Sequence, residues 1–443
     1  MINFNFNGTL GDVDYMVALN TNRSSGLSAA ENLDSTNPFE EDIFSRQNAL
    51  VQLNYKVSSK LKIGVLTSID DFSTDFDGFD FDPVTFASIA VDRDNNLSSL
   101  QKRVAFNADY DYDKGKLKVR TFIADIERNE TPSEDFFRGE VLGFDVFNNY
   151  HFNERFSFLA GLTAQYQNMT QRTSFTVINQ GTGKQHFYDP YLSFNYLSDF
   201  GFNLNIGTRM NMHSEYGSNF VYNINPSYNF EIKGNPVKLF TSLGTAFIAP
   251  TLSEIFTKLP TVEELLPEET TSFEIGFETT LFEKLNMNST YFYREETNKI
   301  GYDPTTFQTI NDVGTFFARG VEAELGYQFT ERLNLLANYT FIGRAENLLL
   351  KIPQNIFFFR ANYRISNQTN FSMSYRNVDE TSDFGNVTLD AYQLVDVFVN
   401  HKILNERVDL FVNVTNLFNE DYQEVAGFTT RGRNFSFGLR TTF

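Results

Sequence analysis

Arg433 and the run Asn434-Phe-Ser-Phe-Gly-Leu-Arg-Thr-Thr-Phe443 close the chain with every apolar side chain on one face. Phe435, Phe437, Leu439 and Phe443 stand at odd positions, and Asn434, Ser436, Gly438, Arg440 and Thr442 at even ones. Successive side chains of a strand point to opposite faces, so a strand with lipid on one side and water on the other has to alternate in this way. The run predicts a closing barrel strand with its terminal aromatic at the membrane rim.

The same alternation recurs upstream at Val104/Phe106/Ala108/Tyr110/Tyr112, Leu204/Ile206/Thr208/Met210, Val321/Ala323/Leu325/Tyr327/Phe329 and Val408/Leu410/Val412/Val414. Intervening positions are mostly Asn, Asp, Glu, Gly or Arg, as a wet lumen requires. No stretch of 18 apolar residues occurs, and the mean hydropathy of -0.32 is that of a water-soluble chain. Barrel strands escape such averages because half of each strand is polar. With 49 Phe, 21 Tyr and no Trp, any aromatic girdle at the headgroups has to be built from Tyr and Phe. The absence of Cys removes disulfides and thiol chemistry, and a net charge of -20 argues against nucleic acid as a partner.

Ten short turns punctuate the pattern, at Leu10–Val13, Ser58–Lys60, Asp113–Lys116, Asn153–Arg155, Ser198–Gly201, Lys233–Pro236, Phe282–Lys284, Thr330–Arg332, Ser366–Gln368 and Leu404–Glu406. They recur roughly every 44 residues, the length of a strand pair with one turn and one loop. Longer polar connections are expected at 21–44, 69–98, 129–138, 170–185, 247–268, 379–390 and 417–432. Short turns face the periplasm in such barrels and long loops face outward. The expectation is therefore an all-β, transmembrane antiparallel barrel of the 22-strand receptor type, with residues 1–443 as one domain supplying about 21 strands. The first and last strands both descend, and antiparallel neighbours cannot do so. An ascending strand before Met1, or one from another chain, is expected, with a parallel seam as the alternative. Met1–Asn7 already reads as strand, so the signal peptide that export needs is expected upstream of it.

Several segments resemble the barrel of TonB-dependent outer-membrane receptors. Phe247-Ile-Ala-Pro-Thr-Leu-Ser-Glu-Ile-Phe256 resembles one landmark of that family, with Ile248 in place of its usual Arg. Leu266-Pro-Glu-Glu-Thr-Thr-Ser-Phe-Glu-Ile-Gly276, Arg319-Gly-Val-Glu-Ala-Glu324, Val414-Thr-Asn-Leu-Phe-Asn-Glu-Asp-Tyr422 and Gly432-Arg433 resemble the landmarks that follow, in order. Within that superfamily, Ser25–Ala30, Phe39–Phe44, Gly207–Gly217 and Tyr222–Tyr228 resemble vitamin B12 (cobalamin) receptors. The resemblance implies uptake of cobalamin or a related corrinoid across the outer membrane of a Gram-negative bacterium. Outer-membrane lipids, TonB, a plug domain and a surface lipoprotein are the implied partners, with TonB reached through a missing N-terminal segment. Members begin with a plug, which is expected here upstream of Met1 or on another chain. An iron-siderophore receptor and a plug-less passive porin are the alternatives.

Asp70-Asp-Phe-Ser-Thr-Asp-Phe-Asp-Gly-Phe-Asp-Phe-Asp82 gathers six carboxylates ahead of Asp92 and Asp94. Carboxylates brought together repel one another until a cation neutralises them, and calcium takes six to eight hard oxygens. By the resemblance to cobalamin receptors, Glu40, Asp42, Asp70, Asp71 and Asp77 would hold calcium and order the loops around substrate. A solvated acidic loop is the alternative reading. Haem is disfavoured, because no His lies between the Phe247 and Leu266 landmarks. His213-Ser214-Glu215 invites a hydrolase reading, but sequence neighbours on an extended strand face apart and cannot form a Ser-His contact. Lumen-facing Arg209, Glu322 and Glu324 are expected to bond one another or the plug.

Overall fold

The computed structural model describes all residues except Ala29, 33–38, 82–87, 174–180, 257–263, 304–307, 345–349, 384–386 and Phe443. The closing aromatic therefore lies outside the described residues. The strands are β1 (Ile2–Leu10), β2 (Val13–Ser24), β3 (Phe44–Lys56), β4 (Leu61–Phe81), β5 (Ser88–Tyr112), β6 (Gly115–Thr131), β7 (Asp135–His151) and β8 (Phe156–Arg172). They continue with β9 (Gly181–Leu197), β10 (Phe202–His213), β11 (Gly217–Ile232), β12 (Asn235–Ile248), β13 (Glu268–Leu281), β14 (Leu285–Thr297), β15 (Ile300–Asp303), β16 (Gln308–Asn311) and β17 (Thr315–Thr330). The last are β18 (Leu333–Arg344), β19 (Asn355–Arg364), β20 (Thr369–Val378), β21 (Thr381–Asp383), β22 (Val387–Leu389), β23 (Tyr392–Ile403), β24 (Val408–Thr415) and β25 (Asn434–Thr441). One helix, α1 (Leu252–Phe256), interrupts them.

All strands except the small hairpins β15–β16 and β21–β22 form one 21-stranded sheet in which each strand pairs antiparallel with its chain neighbour. Among the described residues β1 and β25 pair only inward, with β2 and β24, and both run toward the short turns. At the opposite end the β2–β3 and β24–β25 loops meet, through a bridge between Ala30 and Phe428 and a 2.9 Å bond from the Glu31 amide to the Gly427 carbonyl. No described helix is long and apolar enough to cross a membrane, and a barrel crosses with strands.

Residues opposite one another in a ladder share a face, so the alternation read at the C-terminus can be carried around the wall. Phe435 lies opposite Val414, and the same row runs on through Val397, Met373, Ala361, Leu335 and Tyr327 to Leu285. One step along, on the other face, the row is Ser436, Asn413, Phe398, Ser372, Asn362, Asn334 and Gln328. The first row faces lipid and the second the lumen.

All ten short turns fall where the sequence places them. The long connections differ. Residues 69–81 and 88–98 are strand and not loop, because β4 and β5 stay paired from Leu61↔Tyr110 out to Phe81↔Ser88. The expected connection at 129–138 shrinks to residues 132–134, while β15–β16 fills a connection that alternation alone did not mark. Past the row Thr67, Val104, Ile123 and Leu142 the outward face turns charged, since the next outward row is Ile69, Lys102, Asp125 and Glu140. From Leu61 to Ile69 the apolar run covers about 26 Å of strand, or about 20 Å of membrane normal at the usual tilt. The Tyr110–Tyr112, Tyr112–Tyr150, Tyr150–Phe158, Phe156–Tyr196 and Tyr196–Phe202 ring contacts gird the short-turn end, with centroids 4.8–6.4 Å apart. That girdle is built from Tyr and Phe, as the missing Trp requires.

Phe106 is 56% exposed on the outward face, between Val65 and Thr121. Phe106→Arg is expected to destabilise the folded barrel by about 2–4 kcal/mol, the usual cost of a cation at the bilayer midplane. Asn288→Arg, in the lumen row between Glu278 and Glu324, should cost less than about 1 kcal/mol. Reversible urea unfolding in lipid vesicles measures both.

Candidate functional site: the outer mouth and lumen wall

Above the lipid band the β4–β5 hairpin carries the acidic residues, and its pairing decides which of them meet. Asp70 faces the lumen side opposite Asn48 and Gln101, and takes a forked ion pair from Arg46, with Nε at 2.9 and 3.1 Å from its two oxygens. Asp71 follows it and so points to the other face, opposite Gln47 and Leu100. The register breaks between Phe76 and Gly78, and Asp77 sits in that break, 8% exposed. Its carboxylate accepts the Ser28 hydroxyl and the Ala30 amide, each at 2.7 Å, and the Arg93 amide at 3.2 Å. Asp77 thus pins the β2–β3 loop to the hairpin. Asp75 adds a second tie, accepting the Ile43 amide at 3.1 Å and the Asn96 side-chain amide at 2.7 Å.

The same irregularity turns Asp92 and Asp94 toward the β2–β3 loop. There they meet Glu40 and Asp42, and the Glu40 amide donates to Asp92 at 3.4 Å. A hydrogen bond with Asp94, then repulsion from that carboxylate, pushes the Glu40 carboxyl up to about 7. The five sequence-derived calcium residues are therefore distributed: Asp70 is on Arg46, Asp71 is on the far face, Asp77 is in the loop anchor, and Glu40 and Asp42 join Asp92 and Asp94. Among the described residues no three His, Cys, Asp or Glu side chains stand where they could share one metal ion.

The landmark segments brace the remaining loops. Thr251 and Glu254 form a capping box at the start of α1: the Thr251 amide and hydroxyl donate to Glu254 at 2.7 and 2.9 Å, and the Glu254 amide returns to the Thr251 hydroxyl at 3.3 Å. Pro250 before it is fully buried. The Asn311 side chain takes the Leu266 amide at 2.7 Å and donates to the Leu266 and Asn298 carbonyls, tying the Leu266 landmark to the β15–β16 hairpin. Asn416 and Asn419 adopt left-handed backbone, which Asn tolerates better than other residues with a Cβ. Asn416, 4% exposed, donates to the Glu420 carbonyl and accepts the Glu420 amide, both at 2.8 Å, while its own amide donates to Asp396 at 2.9 Å. These side chains replace ladder partners where the strand ends. In the Arg319 landmark, Gly320 leaves room for the Phe292 ring, since a Cβ there would stand 2.5 Å from it and 2.1 Å from the Phe341 carbonyl oxygen. Glu322 and Glu324 face the lumen, opposite Thr340 and Asn338.

His213 ends β10, and its Nδ1 accepts the Glu215 amide at 3.1 Å; the Ser214 hydroxyl accepts the His186 amide at 3.2 Å. The expected Arg209 contact with the glutamates does not form: Arg209 lies 3.9 Å from Asp189 and stacks on Tyr191 at 5.0 Å.

The sequence model of the TonB dependent receptor-like β-barrel matches residues 2–417. The chain belongs to that family. The fold is similar to the siderophore receptor PirA from Acinetobacter baumannii, with a TM-score of 0.83, 15% identity and coverage of 100% of this chain and 77% of the other. It is similar also to the FrpB iron transporter from Neisseria meningitidis (TM-score 0.80, 14% identity, 98% and 77% covered). A third similar structure is a mutant of the ferric enterobactin receptor PfeA from Pseudomonas aeruginosa in complex with enterobactin (TM-score 0.80, 14% identity, 100% and 78% covered). No curated protein sequence matches the chain. The TonB-dependent receptor barrel is an outer-membrane fold.

The raised Glu40 carboxyl gives the mouth a pH dependence of fixed sign. A carboxyl whose folded value lies above its ordinary 4.5 holds its contact fully below that value and loses it as the pH rises through about 7. Hydrogen exchange of residues 39–43, corrected for intrinsic rate, is expected to quicken between about pH 6 and pH 8. Asp94→Asn should remove the dependence.

Proposed function

We propose that this chain is the transport barrel of an outer-membrane receptor for a ferric siderophore in a Gram-negative bacterium, energised by TonB from the inner membrane. The observation that carries the reading is similarity over the whole chain, not over one hairpin, to structures described as a siderophore receptor, an iron transporter and a ferric enterobactin receptor. Family membership supplies the class, a TonB-linked receptor for a small ligand. A wall of 21 strands encloses more space than side chains fill, so the transporting assembly takes a plug. Loops tied to one another at the mouth by Asp77 and Asn311, with Asn416 bracing its own β24–β25 loop, form a rim on which a ligand can seat.

The cobalamin reading rested on four short segments. Gly207–Gly217 and Tyr222–Tyr228 lie mostly in β10 and β11, where alternation between lipid and lumen sets composition and ligand chemistry has little influence. Ser25–Ala30 and Phe39–Phe44 belong to the loop that Asp77 and Asp75 hold down. Corrinoid uptake therefore stands as the competing outcome of one experiment. Calorimetric titration of the complete receptor with a ferric tris-catecholate siderophore and with cobalamin should show the iron complex binding at least about a hundredfold tighter, a difference of about 2.7 kcal/mol. Tighter binding of cobalamin would replace this reading with the other.

A further inference from the structure

Charge on the lumen wall is not scattered. On the β2–β6 side, three cations near the short-turn rim are paired: Lys62 with Asp14 at 2.9 Å, Lys116 with Asp111 at 3.0 Å and Lys118 with Asp109 at 3.6 Å. Near the outer rim Arg46 pairs with Asp70 and Arg128 with Glu130. Between the two rims stand Arg103 on β5 and Arg120 on β6, and neither makes an ion pair with the described residues; Asp145 lies opposite Arg120 in the ladder, but its carboxylate takes the Thr163 and Tyr191 hydroxyls at 3.0 and 3.2 Å. Both guanidiniums instead lie on aromatic faces, Arg103 over Phe122 at 4.8 Å and Arg120 over Phe147 at 5.8 Å. Gly143 lets the Phe122 ring lie flat against the wall, since a Cβ there would stand 2.2 Å from that ring. A stacked guanidinium keeps its N–H edge available and loses rotamer freedom before any ligand arrives.

Arg120 sits opposite Asn107, four residues further inward than Arg103 on β5, so the two cations are staggered along about 13 Å of strand. Seven to ten strands further round the wall, β13 and β17 present Glu274, Glu278, Glu322 and Glu324 to the lumen. Of these four, Glu278 alone has a cationic partner, Lys238 at 3.0 Å. The β5–β6 wall thus carries two cations without an ion pair halfway across the membrane, and the β13–β17 wall three carboxylates without one.

We propose that Arg103 and Arg120 form an anion-binding track in the lumen, taken by a polyanionic chelate on its way from the outer mouth toward the periplasm. Two staggered, aromatic-backed guanidiniums fit a ligand with several negative oxygens on a rigid frame, which can leave one cation as it meets the next. As a route the track rests on the ferric-siderophore reading. As an anion site it does not, and the test separates the two.

The probe is pyrene-1,3,6,8-tetrasulfonate, titrated by fluorescence into the full chain folded in detergent micelles. Arg103→Gln with Arg120→Gln should weaken binding at least about tenfold and flatten its salt dependence. Lys118→Gln removes one like charge that is already paired, and should change affinity less than about twofold. Glu322→Gln with Glu324→Gln should leave binding equal or tighter. A shift in mobility on heating confirms that each variant is folded, and Arg103→Lys with Arg120→Lys, which keeps the charge and loses the planar stacking, should give intermediate affinity. Unchanged binding in the folded double glutamine variant overturns the track, as does a loss equally large in Lys118→Gln. Tetrasulfonate binding that follows this pattern, in a receptor that ignores ferric siderophores, would keep the track and remove the siderophore reading alone.

Discussion

Inside a bilayer no water is present to satisfy backbone amides and carbonyls, and leaving them unpaired costs several kcal/mol each. Everything else in this barrel follows from meeting that demand with strand-to-strand ladders. A ladder forces period two, and period two gives each strand one lipid row and one lumen row. Phe435, Val414, Val397 and Met373 are apolar because their row meets acyl chains, and Ser436, Asn413 and Ser372 are polar because theirs meets water. Where the ladder ends, side chains of Asn416, Asn311 and Asp77 take over the bonding of loop amides. These positions hold the mouth in shape.

The architecture was legible because this constraint is written locally. Turn residues and alternation located all ten short turns, and the parity of face could be read from Phe435 and Phe437 alone. The outer zone was less legible for the same reason. Above Ile69 both faces of β4 and β5 meet water, the alternation disappears, and Asp70 to Asp80 look like a loop although they are paired. Spacing likewise could not reveal that Asp77 sits in a register break with three donors around it. That break brings Asp92 and Asp94 to Glu40, and it depends on the pairing between β4 and β5. Arg103 and Arg120 carried a weak signal, since each occupies a lumen position, but that neither forms an ion pair, even with Asp145 opposite Arg120, appears only in the folded wall.

Lipid on one face and water on the other also explain why function concentrates where it does. The outward rows have little freedom, since a charge there is costly. Lumen positions and the hairpins beyond the band can change without breaking a ladder, so ligand chemistry can be rewritten there. A rim braced by buried carboxylate and amide bonds, set above a polar and charged lumen, suits a receptor that takes its ligand outside and moves it inward.

The account rests on the assignment of faces, and that is directly measurable. Nitroxide labels placed one at a time along β6 from Lys116 to Ile126, in the folded chain in bilayers, report collision with oxygen from the lipid and with a water-soluble nickel chelate from the lumen. Oxygen contact should peak at Leu117, Val119, Thr121 and Ile123, and nickel contact at Lys116, Lys118, Arg120 and Phe122, with period two and opposite phase. Absence of the period, or the reverse phase, would contradict the assignment of lipid and lumen faces on which every functional statement here depends.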